Sequence, residues 1–244
     1  SEFAMSQKSL FPHHNLDWTV ARIESKLQNL GGSDPTLRLE LSRVLLSSGL
    51  FHKGGEGACA KALGQAKKVL QESGDSVEAL TLAGMSLLGM DRPESAERYL
   101  AKAQAIDPNR ADLQLALGSL ARAMGREDGM LSCLERACQL SPSSWEPHLY
   151  LGTSLLKIGR RYGSMRFIER AQYHLVQAQT LDPMAERNSE LLHDMGLACL
   201  LTGRLREAEK FFNRLKDEPK MEAVARFHLG LVSYRLGKHN NSIN

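Results

Sequence analysis

The chain has little of what announces chemistry or membrane insertion. Its four cysteines, Cys59, Cys133, Cys138 and Cys199, form no CxxC pair and stand at no metal-like spacing to histidine. They read as unpaired thiols of a reducing compartment, so a cytoplasmic location is expected and no metal site is. No run of about 18 or more apolar residues occurs, which excludes a helical membrane span. Net charge is only +3 over 244 residues, which makes no case for nucleic acid or an anionic membrane as partner. Eight prolines beside 42% apolar residues, with leucine, alanine, glutamate, arginine and lysine plentiful, describe a helical rather than a disordered chain. No secretory signal opens the sequence. Ser1–Ala4 before Met5 resembles an expression-vector remnant and is set aside.

What is present is a period. Gly84 and Gly118 lie 34 residues apart, as do Pro108 and Pro142, and Ala103 and Ala137. A fixed period near 34 marks a helix–turn–helix repeat. Gly118 to Gly152 is again 34, and Gly196 to Gly230 is 34, whereas Gly152 to Gly196 is 44 and Ser42, in the glycine's place, precedes Gly84 by 42. Two insertions are therefore expected within pairs. One is a glycine loop over Phe51–Cys59. The other adds about seven residues near Arg161–Phe167, with Tyr162–Phe167 lengthening the second helix at its start.

The predicted organisation is a remnant and flexible start over 1–15, a capping helix over 16–32, and repeats over 35–76, 77–110, 111–144, 145–188, 189–222 and an incomplete 223–244. In the capping helix Val20, Ile23, Leu27 and Leu30 share one face, and Gly31–Gly32 ends it. The sixth copy stops short of its second helix, so the natural protein is expected to continue past Asn244. A mid-helix glycine costs about 1 kcal/mol relative to alanine. Its recurrence at Gly84, Gly118, Gly152, Gly196 and Gly230 therefore implies close helix–helix approach. Gly125, Gly159, Gly203 and Gly237 are expected to end first helices in a left-handed cap, and Pro108, Pro142 and Pro183 to end second helices.

Leu80, Ala83-Gly84, Leu87, Ala96, Leu100, Ala103 and Pro108 resemble the tetratricopeptide repeat pattern, and the resemblance extends over about residues 35–244. It is looser at Gln114, Met130 and Leu215. The resemblance implies an all-α fold, a right-handed superhelix of antiparallel helix pairs, whose first helices line a concave groove. On that basis the groove residues are Leu82, Met85, Leu115, Ser119, Leu149, Tyr150, Thr153, His193, Leu197 and Phe227, with Leu88, Leu156, Leu200, Leu201, Leu231 and Tyr234 beside them. Many of these are equally readable as core between repeats.

Some members of the family hold acidic chaperone C-termini in a clamp of lysines, asparagines and an arginine. The matching places here hold Thr81, Met85, Leu115, Ala116, Ser119, Glu146 and Tyr150, so that clamp is absent. Glu78, Asp112, Glu146 and Glu190 occupy equivalent first-turn places, where carboxylates complement the helix dipole. The turn cations Arg126, Arg160, Arg161, Arg204 and Lys238 fall on one edge, and Arg160, Arg161 and Tyr162 are the edge candidates for partner contact.

Phe51–Gly57 lacks the Gly-Lys-Ser/Thr ending of a phosphate loop. His193 and Asp194, adjacent on a helix, are not expected to form an acid–base pair, and no catalytic constellation stands out. The function implied is a non-enzymatic scaffold or adaptor, needing no cofactor, that captures a partner's peptide or helix in a multiprotein complex. Two alternatives remain open: the recruiting arm of a larger enzyme lying beyond Asn244, and a scaffold that self-associates through its open C-terminal end.

Overall fold

The computed structural model describes residues 16–51, 55–182 and 185–241. These form twelve α-helices and one short 3-10 turn, with no strand among the described residues. The expected tail over residues 6–15 lies outside them, as do residues 52–54, Pro183 and 242–244. The chain divides after Pro142 into two compact units.

The first unit contains α1 (Leu16–Asn29), α2 (Pro35–Phe51), α3 (Glu56–Ser73), α4 (Val77–Gly89), α5 (Pro93–Ile106), α6 (Ala111–Ala123) and α7 (Glu127–Leu140). Helix α1 packs on α2, and α2/α3, α4/α5 and α6/α7 are paired. In α1, Ile23 and Leu27 are buried, but Leu30 is exposed because the helix stops at Asn29 and the chain turns at Gly31. Polar side chains start the helices: Asp34 Oδ1 accepts from Leu37 N–H and Ser76 Oγ from Ala79 N–H, each satisfying a donor that lacks an intrahelical partner.

The second unit contains α8 (Trp145–Tyr162), α9 (Met165–Leu181), the 3-10 turn Ala185–Arg187, α10 (Ser189–Leu201), α11 (Leu205–Leu215) and α12 (Glu222–Asn241). Pairs α8/α9 and α10/α11 are followed by α12, which packs on both α10 and α11. Leu192, Leu215 and Ala225 form the core of that last junction.

Within pairs the glycine prediction holds at four of five places. A Cβ on Gly84 would stand 2.5 Å from Leu100 Cδ2, on Gly118 2.8 Å from Leu134 Cδ2, on Gly152 2.9 Å from Leu175 Cγ and on Gly196 2.9 Å from Phe212 Cζ. At Gly230 it would meet nothing within 4 Å.

The insertions lie differently from expectation. Gly57 and Cys59 of the expected glycine loop are helical, while residues 52–54 lie outside the described residues: α2 runs through Phe51 and α3 starts at Glu56. At 17 and 18 residues they exceed α4 and α5, of 13 and 14, by about one turn each. The second insertion lengthens mainly the first helix of its pair, giving α8 18 residues and ending it at Tyr162. Gly159 therefore caps nothing. It sits within α8, where a Cβ would come within 3.1 Å of Ile168 N, and Gly163 at φ +64° ends the helix instead. Gly237 likewise lies inside α12.

Candidate functional site

The first helices α4, α6, α8 and α10 carry most of the predicted groove. Leu82 and Met85 are each 3% exposed, Leu115 0%, Leu149 7% and Leu197 6%. These five are core. A first helix packs against the second helix of its pair and against neighbouring pairs, so apolar residues beside the Leu-Gly position are taken up by internal packing. Ser119, Tyr150, Thr153 and His193 are half-buried, while Phe227, Arg160, Arg161 and Tyr162 are exposed.

In the second unit, α8 and α10 bring three polar side chains into contact. Thr153 Oγ1 donates to Asp194 Oδ2 at 2.8 Å, and Asp194 Oδ1 lies 3.2 Å from His193 Nδ1. The expectation that His193 and Asp194 point apart is thus corrected: the carboxylate reaches both the neighbouring ring and the adjacent helix. His193 Nε2 is buried with no hydrogen-bond partner, a costly state for a polar group unless something pairs with it. Tyr150 stands one turn before Thr153 on α8, which extends the patch.

Behind it, His228 of α12 stacks on Phe212 with ring centroids 4.8 Å apart and lies 5.3 Å from the His193 ring. Burial, then the neighbouring His193 and the Arg160 guanidinium, push His228 below the ordinary histidine value. The second unit also pairs His148 of α8 with His174 of α9, Nδ1 to Nδ1 at 3.0 Å. Nothing in their spacing of 26 residues signals this contact, because the insertion between them shifts the register. Two imidazole nitrogens this close can share one proton.

The first-turn acids are mostly engaged. Glu78 pairs with Arg43, and Asp112 with Arg110 at 2.8 Å. Glu146 is buried, and Glu190 is exposed. Of the turn cations, Arg126 bonds Glu97 at 3.2 Å and Arg204 lies 3.4 Å from Glu207, so these two serve local structure. The cysteines are free, three of them buried. Burial raises all four thiols, Cys138 to about 12, which lowers their thiolate fraction. Among the described residues no helix is long and apolar enough to cross a membrane.

These helix pairs, with their recurring glycine contact, define a helical-repeat protein. The tetratricopeptide repeat family matches at residues 77–110 and 111–144, so the chain carries tetratricopeptide repeats there. No curated protein matches it in sequence. Among solved structures, the human IFIT1 dimer with PPP-AAAA is similar at 20% identity and TM-score 0.69, over 92% of this chain and 52% of that one. The Cut9–Hcn1 assembly of the APC/C is similar at 16% identity and TM-score 0.67, over 93% of this chain and 41% of that chain. YrrB, described as a repeat protein with an unusual peptide-binding site, is similar at 16% identity and TM-score 0.51, over 84% and 96%. At these identities the likeness shows the fold. The chain spans about half of IFIT1 or less of Cut9. In general terms the class is that of a protein-interaction scaffold, and its fold is typically non-catalytic.

Proposed function

We propose that this chain is a scaffold that captures an extended or helical segment of a partner protein, and that the surface shared by α8 and α10 makes the contact. One observation carries this reading: Thr153, Asp194 and His193 form a connected polar patch in which the buried His193 Nε2 has no partner. With Nδ1–H directed at Asp194, Nε2 of the neutral ring accepts, so a peptide N–H or a side-chain hydroxyl that reaches it donates to it, and Tyr150 beside it offers an aromatic face. Rigid repeat scaffolds gain affinity because little is ordered on binding. Of the buried candidates, Leu149 and Leu197 anchor the helices that carry the patch. YrrB's peptide-binding site supports the reading only by kinship of fold.

The test is a quantitative pull-down with wild-type protein against Tyr150→Ala and His193→Ala, with helicity checked by circular dichroism. Partners enriched by the wild type and lost from both variants support the reading. Identical partner profiles contradict it.

A further inference from the structure

The recurring glycine contact brings the two helices of a pair together at one fixed place, and each pair has its own two residues beside it. One turn before the glycine stand Leu80, Gln114, His148 and Leu192. One residue before the side chain seated over the glycine stand Tyr99, Cys133, His174 and Phe211. The α4/α5 and α10/α11 pairs thus fill this place with a leucine and an aromatic ring. The α8/α9 pair fills it with two imidazoles. His148 is 7% exposed, His174 is half-buried, and their Nδ1 atoms lie 3.0 Å apart. Burying polar rings where apolar ones serve elsewhere costs free energy that packing alone does not return.

The distances suit a shared ion. Two imidazole nitrogens on one tetrahedral ion at the zinc–nitrogen length lie about 3.3 Å apart, with ring centres about 5.2 Å apart. The ring centres of His148 and His174 are 5.2 Å apart. The broad χ2 well of histidine lets each ring turn its lone pair toward one point. Imidazole suits zinc, copper and nickel, whereas magnesium and calcium take oxygen ligands.

We propose that His148 and His174 bind one zinc-class divalent ion through their Nδ1 atoms, clipping the first turn of α8 to the middle of α9. On binding, the proton held between the rings moves to Nε2 of its own ring, so both imidazoles ligate in the neutral form. With two protein nitrogens and solvent in the remaining positions, the ion is exchangeable, unlike the closed four-ligand sites on which small zinc folds depend. The inference uses different side chains from the Thr153–Asp194–His193 patch and stands without it.

The experiment takes the whole chain, stripped with EDTA, and titrates it with zinc chloride. Calorimetry should show one zinc bound per chain, and thermal unfolding should shift upward as zinc is added. Magnesium chloride at the same concentrations should do neither. His174→Gln changes a half-buried position and should weaken zinc by about tenfold or more, since losing even a partner outside the coordination sphere costs that much. His148→Gln should do the same, and circular dichroism checks that both variants keep their helices. In the wild-type chain, zinc should slow hydrogen exchange at residues 145–151 and 171–177, a readout that needs no variant. Three results overturn the proposal. One is the absence of saturable zinc binding. Another is a zinc affinity unchanged by His174→Gln. The third is slowed exchange confined to other parts of the chain.

Discussion

Leu100 fills the space that a side chain on Gly84 would need: a Cβ there would lie 2.5 Å from both its Cδ2 and its Cγ. Sizes are exchanged across the pair, nothing on one helix against a whole leucine on the other. The first pair makes the exchange in reverse. Ser42 has a side chain, its Oγ donates to Ala62 O at 2.9 Å, and Ala62 and Ala66 opposite are completely buried.

Opposite signs are therefore expected for one substitution at two repeat-equivalent places. Gly84→Ala forces overpacking, which typically costs about 1–3 kcal/mol, against a helix-propensity gain of about 1 kcal/mol. It should lower the urea midpoint. Gly230→Ala has the gain without the clash and should raise it. Equilibrium urea unfolding of both variants checks the pair.

The period was legible because close packing leaves a residue-size signature at fixed spacing, and Gly84, Gly118, Gly152 and Gly196 carry it. Which side of a first helix faces solvent was not legible. Helices α4 and α10 are apolar almost all round, so Leu82 and Leu197 look alike as core or as anchor, and only the positions of neighbouring helices decide. Gly159 misled for a related reason. A glycine seven residues after the last one marks a cap only where the loop is of standard length; here the close approach of Ile168 keeps it helical. The His193–Asp194 contact was missed because backbone direction alone ignores a side chain that bends toward Thr153.

Gly163→Ala places a Cβ at φ +64°, a conformation that costs an ordinary residue about 1–2 kcal/mol. Gly159→Ala keeps helical geometry but drives a methyl toward the backbone nitrogen of Ile168. Both should lower stability. The two costs arise at different atoms, so the double variant should be less stable than either single variant. Urea melts of the single and double variants measure this.

Acidification should loosen α12. His228 is held neutral by burial, by His193 and by Arg160, so the unfolded chain takes up its proton first as pH falls. Stability from this source is complete above about pH 7 and is lost as pH drops through about 6.5 toward the lowered folded value. Unfolding curves between pH 7.5 and 5.5 should show that slope, and His228→Gln should flatten it.

Alkylation separates the thiols by exposure. Cys138, pushed up to about 12, carries on the order of one thiolate in ten thousand at pH 8. Cys133, only half-buried, should react first with iodoacetamide, and Cys59, Cys138 and Cys199 should wait on unfolding. Mass spectrometry over a time course reads the order.

Hydrogen exchange with and without a captured partner tests the central claim most directly. If α8 and α10 hold a partner segment, slowing of exchange upon binding should concentrate in residues 148–156 and 190–200, leaving the second helices α9 and α11 unchanged. Protection confined to α9 and α11, or spread evenly over the second unit, would contradict capture at that surface.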